Sequence, residues 1–380
     1  MLEHKTCITG YAKPQDKPGK AQIIIAGLMN LHCHLAYSEL KLESQDLFPW
    51  IRELVKIHQM GEMNIPSSTL TGAREALSFG TTYLIDNTMH PEVSFNAFRE
   101  TGLRGMIGLE IFGSDPALAE TKLEEALAQM KPNELIEMTL SPHASYDVSI
   151  LLWHKILDWC QKHKQPWLTH LAESQAEEAW FKDKDAPQAQ IAKAFWQELG
   201  TLDAKLETWQ SYPSSTQHMA ANQLLQGFGL ITHMVHASNE DLKTIKEAGL
   251  NLITCPRSNQ YLHNGLPDYQ TWQELQIPFA VGTDSKASNY NLDLRQEANS
   301  IPELTNKARF ELLTSKAAQV LKRDDLGTLD SGKAADFTIL ELQKPDIELN
   351  PENVFDLIMD TEITTVKSTW VNGQLCYNRD

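Results

Sequence analysis

Short β-rich apolar runs recur along the chain, each followed by a longer stretch in which apolar positions return with helical period. The runs lie near 23–30, 81–86, 103–111, 135–140, 167–171, 230–234, 251–254 and 278–282. Helical patterns fall between them at 48–58, 70–79, 117–130, 149–163 and 239–248. Asn239 is the expected cap of the last and Gly249 its stop. Eight strands alternating with helices predict an α/β fold, a (β/α)8 TIM-like barrel. An open doubly wound sheet alternates too, so the count alone does not choose between them.

After Arg323 the pattern changes. Residues 327–342 and 364–377 read as short strands with turns at Ser331-Gly332 and Asn372-Gly373. The expected organisation is a barrel over 26–323 with a small β-sandwich appendage built from the two chain ends, 1–25 and 324–380. Residues 183–215 are polar, Gln-rich and Trp-containing, longer than an ordinary connection, and are expected to form a lid or a substrate-facing insertion.

Composition narrows the function classes. The chain has 380 residues, 42% hydrophobic and 22% charged, an ordinary globular balance with enough length to bury a core. A formal net charge of -17 repels phosphate backbones and anionic lipid, so neither nucleic acid nor a membrane is an expected partner. No segment has the apolar length of a transmembrane helix, and residues 1–20 lack the apolar core of a signal peptide. Cys7, Cys33, Cys160, Cys255 and Cys376 form no Cys-x-x-Cys pair. That spacing argues for a reducing compartment, the cytoplasm by default, and against a cysteine-held zinc. Apolar faces on outer helices would permit a homodimer.

The chemistry gathers at strand ends. His32 and His34 close the first run two residues apart and share one side of a strand. His170 ends the fifth run, His233 the sixth and Asp284 the eighth, all at the rim where barrel enzymes place their chemistry. Any one of them has an ordinary reading. A lone buried histidine is usually a hydrogen-bonded core residue, and Asp after Gly-Thr is often a helix cap. Agreement among four strand ends favours a site for one divalent metal, Zn2+ or Fe2+, held by His32, His34, His170 and Asp284. His58, His154, His163 and His218 lie in helical segments and His4 in the tail, with no assigned role. His90 and His263 are candidates for the mouth, and Trp50 and Trp180 for apolar walls, although helix core is the commoner use of such tryptophans.

Several stretches resemble the amidohydrolase superfamily, in its aminohydrolase and chlorohydrolase branch. They are Gly27 to His34 (GLMNLHCH), Ser141 to Tyr146 (SPHASY), Thr169 to Glu173 (THLAE), Cys255 to Asn259 (CPRSN), Gly282 to Asn289 (GTDSKASN) and Gly327 to Asp336 (GTLDSGKAAD). They occur in family order and span nearly the whole chain. His34 to Ser38 (HLAYS), Phe48 to Ile51 (FPWI) and the pairing of CPRSN with GTDSKASN are similar to aminodeoxyfutalosine deaminases of menaquinone synthesis. Related S-adenosylhomocysteine and methylthioadenosine deaminases carry a ribose-binding Glu after the first helix. Here that position falls near Gln59, with Glu62 close by. A short N-terminus leaves few residues for the first half of the sandwich.

The resemblance implies roles. The metal would lower the pKa of a bound water toward neutrality. Asp284 would take its proton, His233 would orient the attacking oxygen, and Glu173 would carry a proton to the ring nitrogen and then to the leaving ammonia. A first-turn acidic residue at a helix start is the ordinary reading of Glu173. His143, Arg257, His236, Ser288 and Asn289 are expected substrate contacts, with Arg257 facing a substrate carboxylate. The expected function is hydrolytic deamination of a small nucleoside-type molecule, 6-amino-6-deoxyfutalosine to futalosine first. Deamination of S-adenosylhomocysteine, methylthioadenosine or adenosine, or hydrolysis of another aromatic amine or halide, is the alternative. A catalytically silent barrel serving as an assembly module is the alternative of another class, and the intact metal-type residues and Glu173 weigh against it. A cytidine-deaminase-type zinc site needs His-x-Glu and Pro-Cys-x-x-Cys, and the chain has neither.

Overall fold

The computed structural model describes residues 21–344, 350 and 352–379, so residues 1–20 of the expected small domain, with His4 and Cys7, lie outside the described residues. The apolar runs fold into β1 (Gln22–Ala26), β2 (Leu28–Cys33), β3 (Thr81–Thr88), β4 (Arg104–Ile111), β5 (Ile136–Pro142), β6 (Trp167–Leu171), β7 (Gly229–His233), β8 (Asn251–Thr254), β9 (Phe279–Val281), β10 (Phe337–Leu342), β11 (Thr364–Val371) and β12 (Gln374–Asn378).

Two parallel sheets, β2-β3-β4-β5 and β6-β7-β8-β9, carry the middle of the chain. Their edges meet. β5 neighbours β6, where a parallel bridge joins Ala144 to His170, and β2 neighbours β9, where Asp284 N–H donates to the His32 carbonyl at 3.0 Å. The eight strands therefore follow one another around a ring. β2, β3 and β6 to β9 are buried at every position, as strands covered on both faces must be, polar residues such as Thr82, Asp86, Thr169 and Thr232 included.

The run expected at 23–30 is two strands, interrupted at Gly27. β1 joins a four-stranded antiparallel sheet in the order β1-β10-β11-β12, while β2 enters the ring. β10 alternates half-buried and buried positions, the signature of a sheet with one covered face. The Asn372-Gly373 turn joins β11 to β12 with both residues at positive φ, 50° and 74°, as a two-residue hairpin requires. Where a two-layer sandwich was expected, the described residues of the chain ends make one sheet, resting on the helix Ile65–Ser78.

Helix boundaries follow capping chemistry more than period. The helix expected at 70–79 starts at Ile65, because Asn64 accepts from Ser67 N–H and Pro66 suits the first turn. Ser238, not Asn239, caps the helix Asn239–Ala248, in a reciprocal box with Asp241, and Gly249 stops it. Residues 183–215 hold two helices, Pro187–Glu198 and Leu202–Glu207. The first packs Phe195 and Trp196 against Phe48 of the helix Leu47–Gln59, at ring separations of 5.9 and 5.6 Å. Among the described residues no helix is long and apolar enough to cross a membrane.

Gly282 is where the ring and its chemistry are locked together. A Cβ there would stand 2.6 Å from His32 Cβ and 2.7 Å from His32 N, backbone that cannot yield. Gly282→Ala is expected to destabilise the protein by about 1–3 kcal/mol. The midpoint of urea unfolding measures this, and an unchanged midpoint would show that β2 and β9 are not in that contact.

Candidate metal centre and active site

Five side chains from strand ends converge on one point. His32 Nε2 and His34 Nε2 lie 3.7 and 3.6 Å from Asp284 Oδ1, and His34 Nε2 lies 3.3 Å from His170 Nε2. Ring nitrogens of His32, His170 and His233 all lie within 4.8 Å of one another, as do ligand atoms of His34, Glu110 and His170. His32, His34, His170, His233 and Asp284 are all buried. Local backbone aims them. His233 and Asp284 have positive φ, 78° and 57°, and Ala172, two residues beyond His170, has 50°. Such conformations cost about 1–3 kcal/mol each and persist where surrounding contacts enforce them. Here the enforcing contacts are the bonds from Met234 N–H to the Leu171 carbonyl, at 3.0 Å, and from Asp284 N–H to the His32 carbonyl.

The outward nitrogen of each ring is already committed. His34 Nδ1 donates to the Asn87 carbonyl at 2.9 Å and His170 Nδ1 to the His143 carbonyl at 2.8 Å. His233 Nδ1 donates to Asn259 Oδ1 at 2.8 Å. His32 Nδ1 lies 2.8 Å from the Asn87 side-chain amide nitrogen and 3.1 Å from Thr232 Oγ1. With Nδ1 the donor, the Nε2 atoms of His34, His170 and His233 point their lone pairs inward. Burial, reinforced by the neighbouring imidazoles, holds His32 and His170 well below the usual histidine range, and burial also lowers His233. These rings stay neutral, the form that binds metal.

The donor set fits a divalent cation. His32 Nε2 is buried without a hydrogen-bond partner. Two inward lone pairs only 3.3 Å apart, on His34 and His170, are mutually repulsive unless a cation or proton lies between them. Asp284 is held in a matching orientation. Its Oδ2 accepts from Ser258 Oγ at 2.6 Å, leaving Oδ1 toward the histidines. Imidazoles plus one carboxylate suit Zn2+ or Fe2+.

Glu173 follows the left-handed turn at Ala172. The buried Glu177 carboxylate holds that turn, accepting from Ala172 N–H at 3.1 Å and Glu173 N–H at 2.8 Å. Glu173 Oε2 comes 3.6 Å from His233 Nε2. Burial, with the nearby Asp284 charge, pushes the Glu173 carboxyl up to about 8. It therefore carries a proton at neutral pH and can donate it. The cluster forms the floor of a cavity of about 610 Å3, lined by His34, Glu110, His143, His170, Glu173, His233 and Asp284 below and mostly apolar side chains above. Trp50 lines it, as expected of an apolar wall, whereas Trp180 packs on Trp196 and Trp209 outside.

Of the expected substrate contacts, His143 lines the cavity and four do not. Arg257 donates to Asn291 Oδ1 at 2.9 Å, lies 3.8 Å from the buried Glu297 carboxylate and stacks over Tyr290. Its side chain therefore faces Asn291, Glu297 and Tyr290 and is not among the cavity-lining residues. His236 borders a separate hollow with Ser238 and Asp241. Ser288 donates to Asp284 Oδ2 at 3.3 Å and Asn289 to the Thr283 carbonyl at 2.9 Å, so both brace the Asp284 loop. His90 and His263 are not among the lining residues. Glu110 was not expected at the site, yet its Oε2 is 3.8 Å from His34 Nδ1 and its Oε1 is buried without a partner. It stands at the end of β4, so the strand-end rule applied to carboxylates would have found it. The oxygens that orient the rings had no such signal.

A model described as the amidohydrolase family matches residues 23–376. The 5-methylthioadenosine/S-adenosylhomocysteine deaminase 1 of Syntrophus aciditrophicus is 24% identical over 380 residues, covering 94% of this chain and 80% of that protein. The aminodeoxyfutalosine deaminase of Nitratiruptor sp. is 26% identical over 371 residues, covering 93% and 86%. The crystal structure of Helicobacter pylori aminofutalosine deaminase in complex with methylthio-coformycin superposes with a TM-score of 0.77 at 20% identity, covering 93% of this chain and 86% of that one. At that identity the likeness speaks for the fold.

Two outcomes follow from the geometry. Purified protein is expected to hold about one equivalent of divalent metal, falling several-fold in Asp284→Asn or His170→Ala; elemental analysis of folded variants decides, and full retention would remove these residues from the site. Arg257→Ala is expected to lower stability by about 1–3 kcal/mol by stripping Glu297 and Asn291 of a partner. The same change should leave KM unaltered for a carboxylate-bearing substrate, and a large rise in KM would restore Arg257 to the binding site.

Proposed function

This chain belongs to the amidohydrolase family and is a metal-dependent hydrolytic deaminase, and we propose that it acts on a 6-aminopurine nucleoside whose 5′ substituent has a large apolar part. The first candidate is 6-amino-6-deoxyfutalosine, converted to futalosine and ammonia. The observation that carries the reading is the buried Glu173 carboxyl, 3.6 Å from His233 and beside the imidazole–carboxylate cluster, on the floor of an apolar cavity of nucleoside size. The eight-strand ring is read as a closed (β/α)8 barrel with its chemistry at the C-terminal ends of the strands, and the antiparallel sheet as a separate small domain.

A divalent ion bound by His32, His34, His170 and Asp284 supplies Lewis acidity and an ionisable water. The protein's own groups do the rest. Glu173 gives its proton to the purine ring nitrogen as attack at the amino-bearing carbon begins, which prevents charge from building on the ring. Asp284 Oδ1 accepts the proton that the attacking water loses. His233 Nε2, with its other nitrogen fixed by Asn259, presents its lone pair to the attacking water and orients it by accepting a hydrogen bond. Glu173, now a carboxylate, takes the proton of the new hydroxyl group and passes it to the leaving amino group, which departs as ammonia, and the proton held by Asp284 returns to Glu173. The products contain the water oxygen on the ring and the amino group as ammonia, so atoms and protons balance.

The upper cavity supports the choice of substituent. Its lining includes Leu47, Phe48, Trp50, Phe112, Phe195 and Leu199, contains no arginine, and has one lysine whose ammonium is already bonded. A zwitterionic homocysteine tail finds no free cation there. The aryl ketone of aminodeoxyfutalosine does find apolar walls, and its carboxylate can reach solvent at the mouth. Methylthioadenosine is the second reading, favoured by the same apolar lining.

A panel of aminodeoxyfutalosine, methylthioadenosine, S-adenosylhomocysteine and adenosine, read by loss of the adenine band and by product mass, tests this. Aminodeoxyfutalosine or methylthioadenosine should lead in kcat/KM. Preference for adenosylhomocysteine would refute the substituent argument, and inertness toward all four would refute the nucleoside reading. Glu173→Gln should lower kcat by about 10²–10⁴-fold while retaining metal. A near-wild-type rate in that variant would show that the proton travels by another route.

A further inference from the structure

The lysine in the cavity wall is not idle. Lys205 sits on the helix Leu202–Glu207, in the insertion over the mouth, and is buried at 6% exposure. Its ammonium donates to Asp147 Oδ1 at 2.7 Å, to Ser114 Oγ at 3.2 Å and to the Tyr146 carbonyl, which uses all three of its protons. It also lies 4.8 Å from the centre of the Trp196 ring. Burying an unpaired ammonium is strongly unfavourable, so the fold maintains this full pairing where an apolar side chain would need none.

The other oxygen of Asp147 continues the chain. His143 Nδ1 donates to Asp147 Oδ2 at 2.8 Å, and the His143 ring stacks on Phe112 with centroids 4.4 Å apart. With Nδ1 committed and one face covered, Nε2 is the ring's remaining polar atom, on a residue that lines the cavity. The His143 carbonyl meanwhile accepts from His170 Nδ1. A single run of contacts thus joins the insertion to the floor of the site.

We propose that Lys205 is a positioning residue: by holding Asp147 it fixes the His143 ring with Nε2 presented to the purine nucleoside, so the insertion sets substrate affinity through His143. This rests on the deaminase reading above. Asp147 accepts from both Lys205 and His143. Without the ammonium its carboxylate can rotate toward solvent, and the imidazole loses the acceptor that fixes its rotamer.

Lys205→Met should raise KM for the preferred nucleoside on the order of tenfold, with kcat within about twofold and metal content unchanged. Lys205→Arg should recover most of the affinity. In a His143→Ala background, Lys205→Met should add less than about twofold, because its effect runs through a ring no longer present. A direct readout needs no turnover: selectively labelled histidine should show a slowly exchanging His143 Nδ1 proton that disappears in Lys205→Met. Should Lys205→Met not fold, Lys205→Gln carries the same tests. An unchanged KM, full additivity with His143→Ala, or a persisting Nδ1 proton each overturns the proposal and leaves Lys205 as an anchor of the insertion only. If the wild-type protein deaminates no nucleoside, the deaminase reading falls, while the proton resonance still judges the contact chain.

Discussion

Imidazoles packed nitrogen to nitrogen, away from water, are the constraint around which this molecule is arranged. His34 and His170 bring Nε2 atoms to 3.3 Å, His32 adds a third nitrogen with no hydrogen-bond partner, and Asp284 Oδ1 completes the ring of donors. Left as bare lone pairs these groups repel, and burial opposes the protonation of His32 and His170 that would relieve them. A divalent cation removes both penalties at once. The amidohydrolase architecture supplies the strand ends that bring residues distant in the chain, such as His32 and Asp284, into one centre.

What keeps that centre from relaxing is a layer of oxygen acceptors behind it. Carbonyls of Asn87 and His143 and the Asn259 side-chain oxygen take the outward nitrogens of His34, His170 and His233, which gives those three imidazoles one orientation and one tautomer. Left-handed turns at Ala172, His233 and Asp284 redirect side chains at the points where strands end. The strain is borne at the site itself, and cross-strand backbone bonds, together with Glu177 beneath Ala172 and Glu173, hold it in place.

Above the donors the environment changes character within one side-chain length. The insertion and the helix Leu47–Gln59 interlock through Phe48, Phe195 and Trp196 to make an apolar wall. Burial, with the nearby Asp284 charge, raises Glu173 to about 8, while the lack of free cations in the cavity lining bears on the kind of tail a substrate can carry.

Along the chain, period and residue type determined a good deal. Eight apolar runs at the right spacing became the eight ring strands, and His32, His34, His170, His233 and Asp284 were legible because strand ends are local features that a sequence pattern marks directly. The break at Gly27 and the early start at Ile65 were not legible, since each depends on which sheet covers a strand or which side chain caps a helix. Arg257 has the residue type of a binding group, yet it is paired with Asn291 and Glu297, 34 and 40 residues further on. Asp147 and Lys205 gave no signal for the converse reason. A chain pattern encodes which residues are buried and on which face. Whether a buried charge faces a cavity or a partner is a relation between distant segments, and only their packing together determines it.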